Sequence, residues 1–584
     1  MTALDALHTY FEYEDFRPLQ AEIIDSVLAG RDTLALMPTG GGKSLCFQIP
    51  ALVMADANPD KRLCLVITPL IALMRDQVEN LQRRNIQAAA IYTGLSFERQ
   101  RAALDNCRFG PYHFLYCSPE RLESEDFRRQ LASLPIGLIA IDEAHCISQW
   151  GYDFRPSYLN IAAVRELLSD VPVLALTATA TPAVVEDIQS RLTFRTNNVL
   201  RQSFHRENLQ YIVRYTENKD EQIAHILSRV PGSAIIYVRN RQRAKELSDW
   251  LNGQINRPIV NRPIVNFYHA GLTTAERNAR QEAWKSGQTR VIVATNAFGM
   301  GIDKADVRLV IHHDLPGSLE SYYQEAGRAG RDGQTAYAVL LYNQKDRVTA
   351  RKRVADTFPP KEFVERVYKC TLDFLQVGAG SGYGHTFALH MDELCRVMHL
   401  PVLQTYSALH LLTQAGYIHF EEEHETQPRV MIRVPRRDFS QYDLSVPQKE
   451  MLDRLMRQYT GIFTDLQYIR EADEGPKTND KRQTTNHQLL ASLAQRGIIT
   501  YIPRTVGCSI TLTKEREIDI YLSSTIYDER RENFIQKIQA MVEYASQNQF
   551  CREQVLLAYF GETDAVPCGH CDVCRSLAKS VVSE

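Results

Sequence analysis

Leu34-Ala-Leu-Met-Pro-Thr-Gly-Gly-Gly-Lys-Ser44 reads as the end of a buried strand, a loop of three consecutive glycines and the start of a helix. The apolar run Thr33 to Met37 is short and unbroken, as expected of a strand covered on both faces of a parallel sheet. Glycines 40, 41 and 42 let backbone N–H groups turn onto phosphate oxygens without Cβ clashes, and the following helix directs its positive end at the same anion. Lys43 then suits the β- and γ-phosphates of a nucleoside triphosphate, Ser44 suits Mg²⁺, and Thr39 belongs to the same cradle. Met37 stands where the strict G-x-x-x-x-G-K-[ST] pattern places its first glycine, so on its own the loop also reads as an ordinary glycine-rich turn.

About a hundred residues on, Leu138-Ile-Ala-Ile141 runs into Asp142-Glu-Ala-His145. Two carboxylates then stand at the carboxyl end of a strand, where parallel sheets bind ligands. Asp142 suits Mg²⁺, directly or through water, and Glu143 suits polarising an attacking water. Strand, phosphate loop and acidic pair together predict a nucleotide triphosphatase built on an α/β sheet.

The frame agrees. The chain has 584 residues, 44% hydrophobic and 23% charged, which is ordinary for globular protein of roughly three to five domains. Met1 to Phe16 lacks the layout of a signal peptide, and no apolar run approaches the eighteen or so residues that span a bilayer. The expected location is the cytoplasm, with no membrane partner. A net charge of −3 and a pI near 6.6 give no general attraction to polyanions, so any nucleic-acid contact must come from local basic tracks.

Of twelve cysteines, eight are dispersed, and four form the series Cys551, Cys568, Cys571 and Cys574. Two residues between successive thiolates let a tight turn aim both sulfurs at one tetrahedral ion, and a further sulfur from a preceding helix closes the shell. Zn²⁺ is the expected occupant, with His570 outside the set; a disulfide pair is the competing reading, disfavoured in a reducing compartment.

A second α/β half-core is expected between these regions. Ala234 to Val238, Val291 to Ala294 and Leu309 to Ile311 are short apolar strands, separated by helical stretches at Gln242 to Asn252 and Thr274 to Ser286. It lacks a phosphate loop and ends in Gln324-Glu-Ala-Gly-Arg-Ala-Gly-Arg-Asp332. Arg328 and Arg331 fall on one side of a turn, placed either to reach the γ-phosphate of a nucleotide on the first sheet or to stand as a solvated pair.

Taken together the chain resembles the RecQ family of superfamily 2 DNA helicases, over about its first 345 residues and its last sixty. The most specific segment is Asp142 to Tyr158, DEAHCISQWGYDFRPSY. Further matches are Phe16-Arg-Pro-Leu-Gln20, Thr68-Pro-Leu-Ile71, Ser118-Pro-Glu-Arg121, Thr177-Ala-Thr179, Tyr268-His-Ala-Gly-Leu272 and Ala297-Phe-Gly-Met-Gly301. The resemblance implies two RecA-like parallel-sheet domains, at 1–203 and 204–345, with ATP, Mg²⁺ and Zn²⁺ as cofactors. It implies translocation from 3′ to 5′ on single-stranded DNA and unwinding of forked or duplex DNA in repair and recombination, at the nucleoid of a bacterium. Gln20 would read the adenine edge, with Tyr13 stacking and Arg17 nearby. Trp150 and Phe154 would offer faces to bases and Arg155 a cation, coupling DNA to Glu143; an isolated W-x-x-x-F would read as core. Thr68, Ser118, Arg121 and Thr177 to Thr179 resemble coupling motifs, although Ser and Thr at strand ends often cap helices.

After residue 345 the chain departs from the family order, in which the zinc domain follows the second sheet directly. A small helical zinc-binding subdomain is expected from 346–359 and 522–584, interrupted by a winged-helix-like insert at 360–521, with no accessory fold after Cys574. The insert holds two similar passages, Leu409 to Phe420 and Leu490 to Tyr501, offset by 81 residues. Each runs from an amphipathic helix through Gly into alternating strands. The expected hairpins are Tyr417 to Glu422 with Val430 to Val434, and Ile498 to Pro503 with Cys508 to Thr513; the first passage, from Asp392, fits a winged helix better. Arg429, Arg433, Arg436 and Arg437 would meet DNA phosphates, against repulsion from Glu421 to Glu425, and a purely structural module is the alternative. The tandem Asn256 to Val260 and Asn261 to Val265 reads as a lengthened loop. Two other function classes stay open: a translocase or remodeller without strand separation, and a DNA-binding module with a decayed motor.

Overall fold

The computed structural model describes residues 1–92, 94–151, 153–254, 265–299, 304–422, 428–459, 461–469, 486–502 and 507–582. Most of the duplicated Asn-Arg-Pro-Ile-Val loop, Tyr152, Met300, Gly301 and Glu423 to Glu425 lie outside the described residues. The chain divides into two compact units, 1–350 with 535–584, and 351–534.

The first unit holds two parallel sheets. The first comprises β1 (Thr33–Leu36), β2 (Leu63–Ile67), β3 (Ala88–Ile91), β4 (Phe114–Cys117), β5 (Ile136–Ile141), β6 (Val173–Thr177) and β7 (Val199–Arg201), in the order β3-β4-β2-β5-β6-β1-β7. Its central strands are buried along their whole length because helices cover both faces, which explains their unbroken apolar runs. The second sheet comprises β8 (Leu209–Tyr215), β9 (Ser233–Tyr237), β10 (Val265–Tyr268), β11 (Val291–Ala294), β12 (Val307–His312) and β13 (Ala336–Tyr342), in the order β10-β11-β9-β12-β13-β8. Both place the carboxyl ends of β1, β5 and β12 at crevices where the strand order reverses.

The second unit is two small modules, one nested inside the other. The outer has β14 (Thr386–Leu389), helices Met391–Val397 and Val402–Gln414, β15 (Ile418–Glu421) and a closing strand from much later in the chain. The inner has β16 (Arg429–Ile432), helix Val446–Gln458, β17 (Gln467–Tyr468), helix Asn486–Gln495 and β18 (Ile499–Ile502); the outer's closing strand is β19 (Cys508–Leu512). The expected hairpins are not formed. β15 pairs with β19, Ile418 opposite Leu512, while β16 pairs with β18, Arg429 opposite Ile502.

The exchange follows from burial. Ile418, Phe420, Ile510 and Leu512 close the core of the 402–414 helix, whereas Val430, Ile432, Ile499 and Tyr501 close that of the 486–495 helix. Each strand alternates, so sequence-local pairing would satisfy the pleat equally, and the choice lies with which helix each apolar face covers. The compact units cut across the expected zinc-binding subdomain of 346–359 and 522–584. Residues 351–359 and 522–534 go with the insert because Phe358 packs on Tyr527 and Phe534, with ring centroids 6.1 and 5.7 Å away.

Candidate active site

The phosphate loop is held from outside by the segment that precedes it. Arg17 Nη1 donates to Gly40 O at 2.7 Å, and Gln20 Nε2 donates to Gly42 O at 3.0 Å while Gln20 Oε1 accepts from the Arg17 N–H at 2.9 Å. The Gln20 amide, expected at the adenine edge, is thus engaged with the loop backbone; Tyr13 is half exposed beyond it. Gly40 and Gly42 have φ of +85° and +82°, and a Cβ on Gly42 would come within 2.4 Å of Gln20 Nε2, so both the turn and its clamp require glycine there. The helix Lys43–Ala57 begins directly after the loop, with Ser44 in its first turn, and Lys43 Nζ rests 3.4 Å from Met37 O. Met37 itself is fully buried in the core, sulfur to sulfur with Cys46 at 3.6 Å.

Asp142 and Glu143 follow β5. Glu143 adopts a left-handed backbone, φ +49°, unusual for a residue with a side chain and of a kind that clusters at functional sites. Burial, with the Glu143 charge adding to it, pushes the Asp142 carboxyl up to about 7, against the pull of Lys43. Burial raises Glu143 too, opposed by Lys43, Arg328 and Arg155. Glu143 Oε2 and Thr39 Oγ1 are buried without a hydrogen-bond partner, which fits a pocket made to receive phosphate, water and a divalent cation. His145 Nδ1 meets Thr177 Oγ1 at 2.9 Å, joining the acidic strand to β6, and burial drives its pKa down to about 3, so the ring is neutral. Sequence reading had assigned His145 no role.

The two arginines differ. Arg331 crosses to the first sheet's loop: its Cγ lies 3.4 Å and its Nε 3.7 Å from where a Gly40 Cβ would stand. The neighbouring Gly327 is equally close, since a Cβ there would be 2.7 Å from Thr39 Oγ1. Arg328 is 4% exposed, donates through Nη1 to Gly299 O at 2.6 Å, and leaves Nε without a partner.

In the aromatic loop, Trp150 is 42% exposed and Phe154 half-buried, outside the packed cores. Arg155 stays charged, ion-paired to Asp153 at 3.1 Å, and its backbone N–H bonds Cys146 O at 2.9 Å. Tyr158, fully buried, donates to Asp142 O at 2.9 Å and ties this loop to the acidic pair. Thr68, Ser118 and Thr179 are buried with hydroxyls lacking partners, and Arg121 Nη2 donates to Gln100 Oε1 at 2.8 Å.

The four cysteines converge, all sulfurs within 4.8 Å of one another. Cys551 and Cys571 Sγ are 3.9 Å apart, against about 3.8 Å for one edge of a ZnS₄ tetrahedron with Zn–S near 2.3 Å. Backbone N–H groups of Cys568, Cys571 and Cys574 point at sulfurs at 3.3, 3.3 and 3.4 Å, as thiolates need. The thiolate set fits zinc. His570 directs Nε2 to Leu209 O at 3.3 Å instead. Two carboxylates beside this site clasp the segment joining the sheets: Glu562 accepts from Phe204 N at 2.7 Å and Glu553 from Arg206 N at 2.9 Å. No sequence pattern marked them.

A glycine-cradled loop, an acidic pair on the next strand but one and arginines from a second sheet define a two-sheet nucleotide triphosphatase of the DEAD/DEAH class. Family models agree: DEAD/DEAH box helicase over residues 17–188, helicase conserved C-terminal domain over 218–333, the RecQ helicase winged-helix domain of Bacteroidota over 430–503 and RecQ zinc-binding over 516–575. The winged-helix match falls on the inner module, where sequence reading had favoured the outer. ATP-dependent DNA helicase RecQ of Pasteurella multocida is 42% identical over 346 residues, 59% of this chain and 53% of that protein. Probable ATP-dependent DNA helicase RecS of Bacillus subtilis is 40% identical, over 58% of this chain and 67% of its own length. The chain belongs to the RecQ family. It spans about half the length of the first curated relatives it matches. A crystal structure of the DUF1998 helicase MrfA bound to DNA shares the fold at TM-score 0.50 and 18% identity, over 59% of this chain and 51% of that one.

Proposed function

We propose that the chain is an ATP-dependent DNA helicase that moves 3′ to 5′ along single-stranded DNA and opens forked or duplex DNA during repair and recombination, in the cytoplasm at the nucleoid. Among the described residues no helix is long and apolar enough to cross a membrane. The observation that carries the reading is Arg331 lying against Gly40, a cation of one sheet placed on the phosphate loop of the other. ATP would lie between them, its phosphates on Thr39, Gly40, Gly41, Gly42 and Lys43, its base beside Tyr13, Arg17 and Gln20. Ser44 and Asp142 would hold Mg²⁺, which when bound neutralises the β/γ oxygens. Glu143 takes the proton of the attacking water: burial raises its carboxyl above the usual range, which suits a base, and Lys43 and Arg328 oppose that rise. Trp150 and Phe154 receive bases, and Tyr158 and the Arg155 backbone relay their position to the acidic pair. Zinc on Cys551, Cys568, Cys571 and Cys574 is structural.

Lys43→Ala is expected to bring DNA-stimulated ATP hydrolysis below 1% of wild type with single-strand affinity within about threefold, measured by phosphate release and fluorescence anisotropy. Undiminished hydrolysis sinks the cradle. A forked-duplex assay on the wild-type chain then decides between helicase and mere translocase.

The nested modules allow a cleaner cut than removal of the whole insert. Glu421 and Ser509 are cross-strand partners in β15 and β19, so residues 423–506 can be replaced by a short turn. The shortened chain is expected to retain DNA-stimulated hydrolysis within about twofold and to lose at least tenfold in unwinding rate, because separating each base-pair step against roughly 1.4 kcal/mol of stacking needs a wedge. Unchanged unwinding removes the inner module from strand separation.

A further inference from the structure

Lys537 lies on the helix Asp528–Ser546, far in sequence from the phosphate loop, the acidic pair and the arginines, and is almost fully buried. Its ammonium donates to the main-chain oxygen of Trp150 at 2.6 Å and stands 3.7 Å from Glu320 Oε1. Glu320 is itself 1% exposed, and neither of its carboxylate oxygens has a hydrogen-bond partner. The Glu320 carboxylate, which also neighbours the Tyr559 hydroxyl, stands just beyond direct contact, about 2.8 Å, with an ammonium that is seated on Trp150 O.

The two acceptors belong to the two halves of the site. Trp150 is the exposed ring of the aromatic loop on the first sheet. Glu320 stands in the first turn of Leu319–Ala326, whose C-cap is Gly327, so this helix delivers Arg328 directly and Arg331 one turn later. A two-turn helix, about 12 Å long, transmits a shift of its first turn to its last with little loss. Tyr322 and Tyr323 on it pack against Tyr544 and Phe560, which locks the helix to the same C-terminal segment that carries Lys537.

We propose that Lys537 is a positioning residue that couples the aromatic loop to the arginine pair, by exchanging its hydrogen bond between the Trp150 carbonyl and the Glu320 carboxylate. Bases stacking on Trp150 move its main chain, release the ammonium to Glu320, and re-seat the helix that holds the arginines. Both ends bias one element with two discrete arrangements, which is what coupling between separated sites requires. The inference rests on the reading of the chain as a DNA-stimulated ATPase.

The test uses the full chain and compares ATP turnover at saturating single-stranded DNA with turnover in its absence. For Lys537→Met the stimulation ratio is expected to fall at least tenfold, with DNA-free turnover and single-strand affinity within twofold of wild type; Lys537→Arg should restore at least half of the ratio. The variant Lys537→Met with Glu320→Gln removes both buried charges together, so it keeps the fold if the single change does not, and it should show the same loss of stimulation. Stimulation kept in full by either charge-neutral variant, or equal loss of DNA-free and DNA-stimulated turnover in both, overturns the coupling. Wild-type hydrolysis that ignores DNA overturns the motor reading and the coupling with it.

Discussion

Arg331→Ala is expected to lower the ATP turnover number about 10³-fold, with ADP affinity and the thermal midpoint nearly unchanged. Its stem and Nε lie 3.4–3.7 Å from the position a Gly40 Cβ would take, against the glycine loop of the opposite sheet. In the proposed reaction a cation there would meet charge that develops on the γ-phosphoryl oxygens as the bond breaks, and would have less to meet in the ground state. A thousandfold loss corresponds to about 4 kcal/mol of transition-state stabilisation. Arg331→Lys keeps the charge but loses the planar fork, and should recover only part of the rate. Arg328→Ala is expected to behave differently: Arg328 also anchors Gly299 through a 2.6 Å bond in a buried setting, so its removal should cost stability as well as rate. Single-turnover hydrolysis together with a melting curve separates the two. A turnover for Arg331→Ala within fivefold of wild type would remove that residue from the chemistry.

The contrast between these arginines also shows where sequence stops being informative. Spacing placed both on one side of a turn, but which of them faces a phosphate loop three hundred residues earlier depends on how two sheets meet. The strand, loop and acidic pair of the first sheet were legible because each is local: an apolar run, glycines with positive φ, carboxylates at a strand end. The zinc ligands were legible for the same reason. Pairing in the insert was not, because strands that alternate correctly can pair with any partner of matching period: β15 found its partner beyond the inner module, and β16 found its own at the far end of that module. Gln20 shows a subtler limit: an amide that suits an adenine edge also suits two loop carbonyls, and only geometry shows it bonded to the loop. Glu553 and Glu562 had no pattern to betray them, since each acts through long-range bonds to Ser203, Phe204, His205 and Arg206, and the bond from Tyr158 to Asp142 O is likewise visible only in three dimensions.

Cys571→Ser is expected to abolish zinc retention, from one ion per chain to below a tenth by elemental analysis. Cys571 is fully buried, and the apolar cluster around it consists of little more than Cys551, Val573 and the remaining cysteines. Leu556, Leu557 and Phe560 anchor the helix 552–559 in the core of the second sheet, but the turn 566–574 has only the small cysteine cluster, and binding of zinc, on the order of 10–16 kcal/mol in comparable small sites, holds it. Loss of the ion should therefore unfold the turn 566–574 and loosen the helix before it. The consequence reaches further, because the neighbouring Glu553 and Glu562 fasten Ser203 to Arg206, the segment that joins the two sheets. Without the clasp the sheets lose a fixed hinge, so the thermal midpoint should fall and trypsin should cut both within 551–574 and near Arg206, where the intact protein resists. The Arg552–Asp572 pair, with 3.0 Å between charged atoms, crosses the same site and provides a control. Arg552→Met should weaken the segment while zinc remains bound, which separates loss of the metal from loss of packing. Full zinc content and an unchanged digestion pattern in Cys571→Ser would show that three thiolates suffice and that the clasp does not depend on the ion.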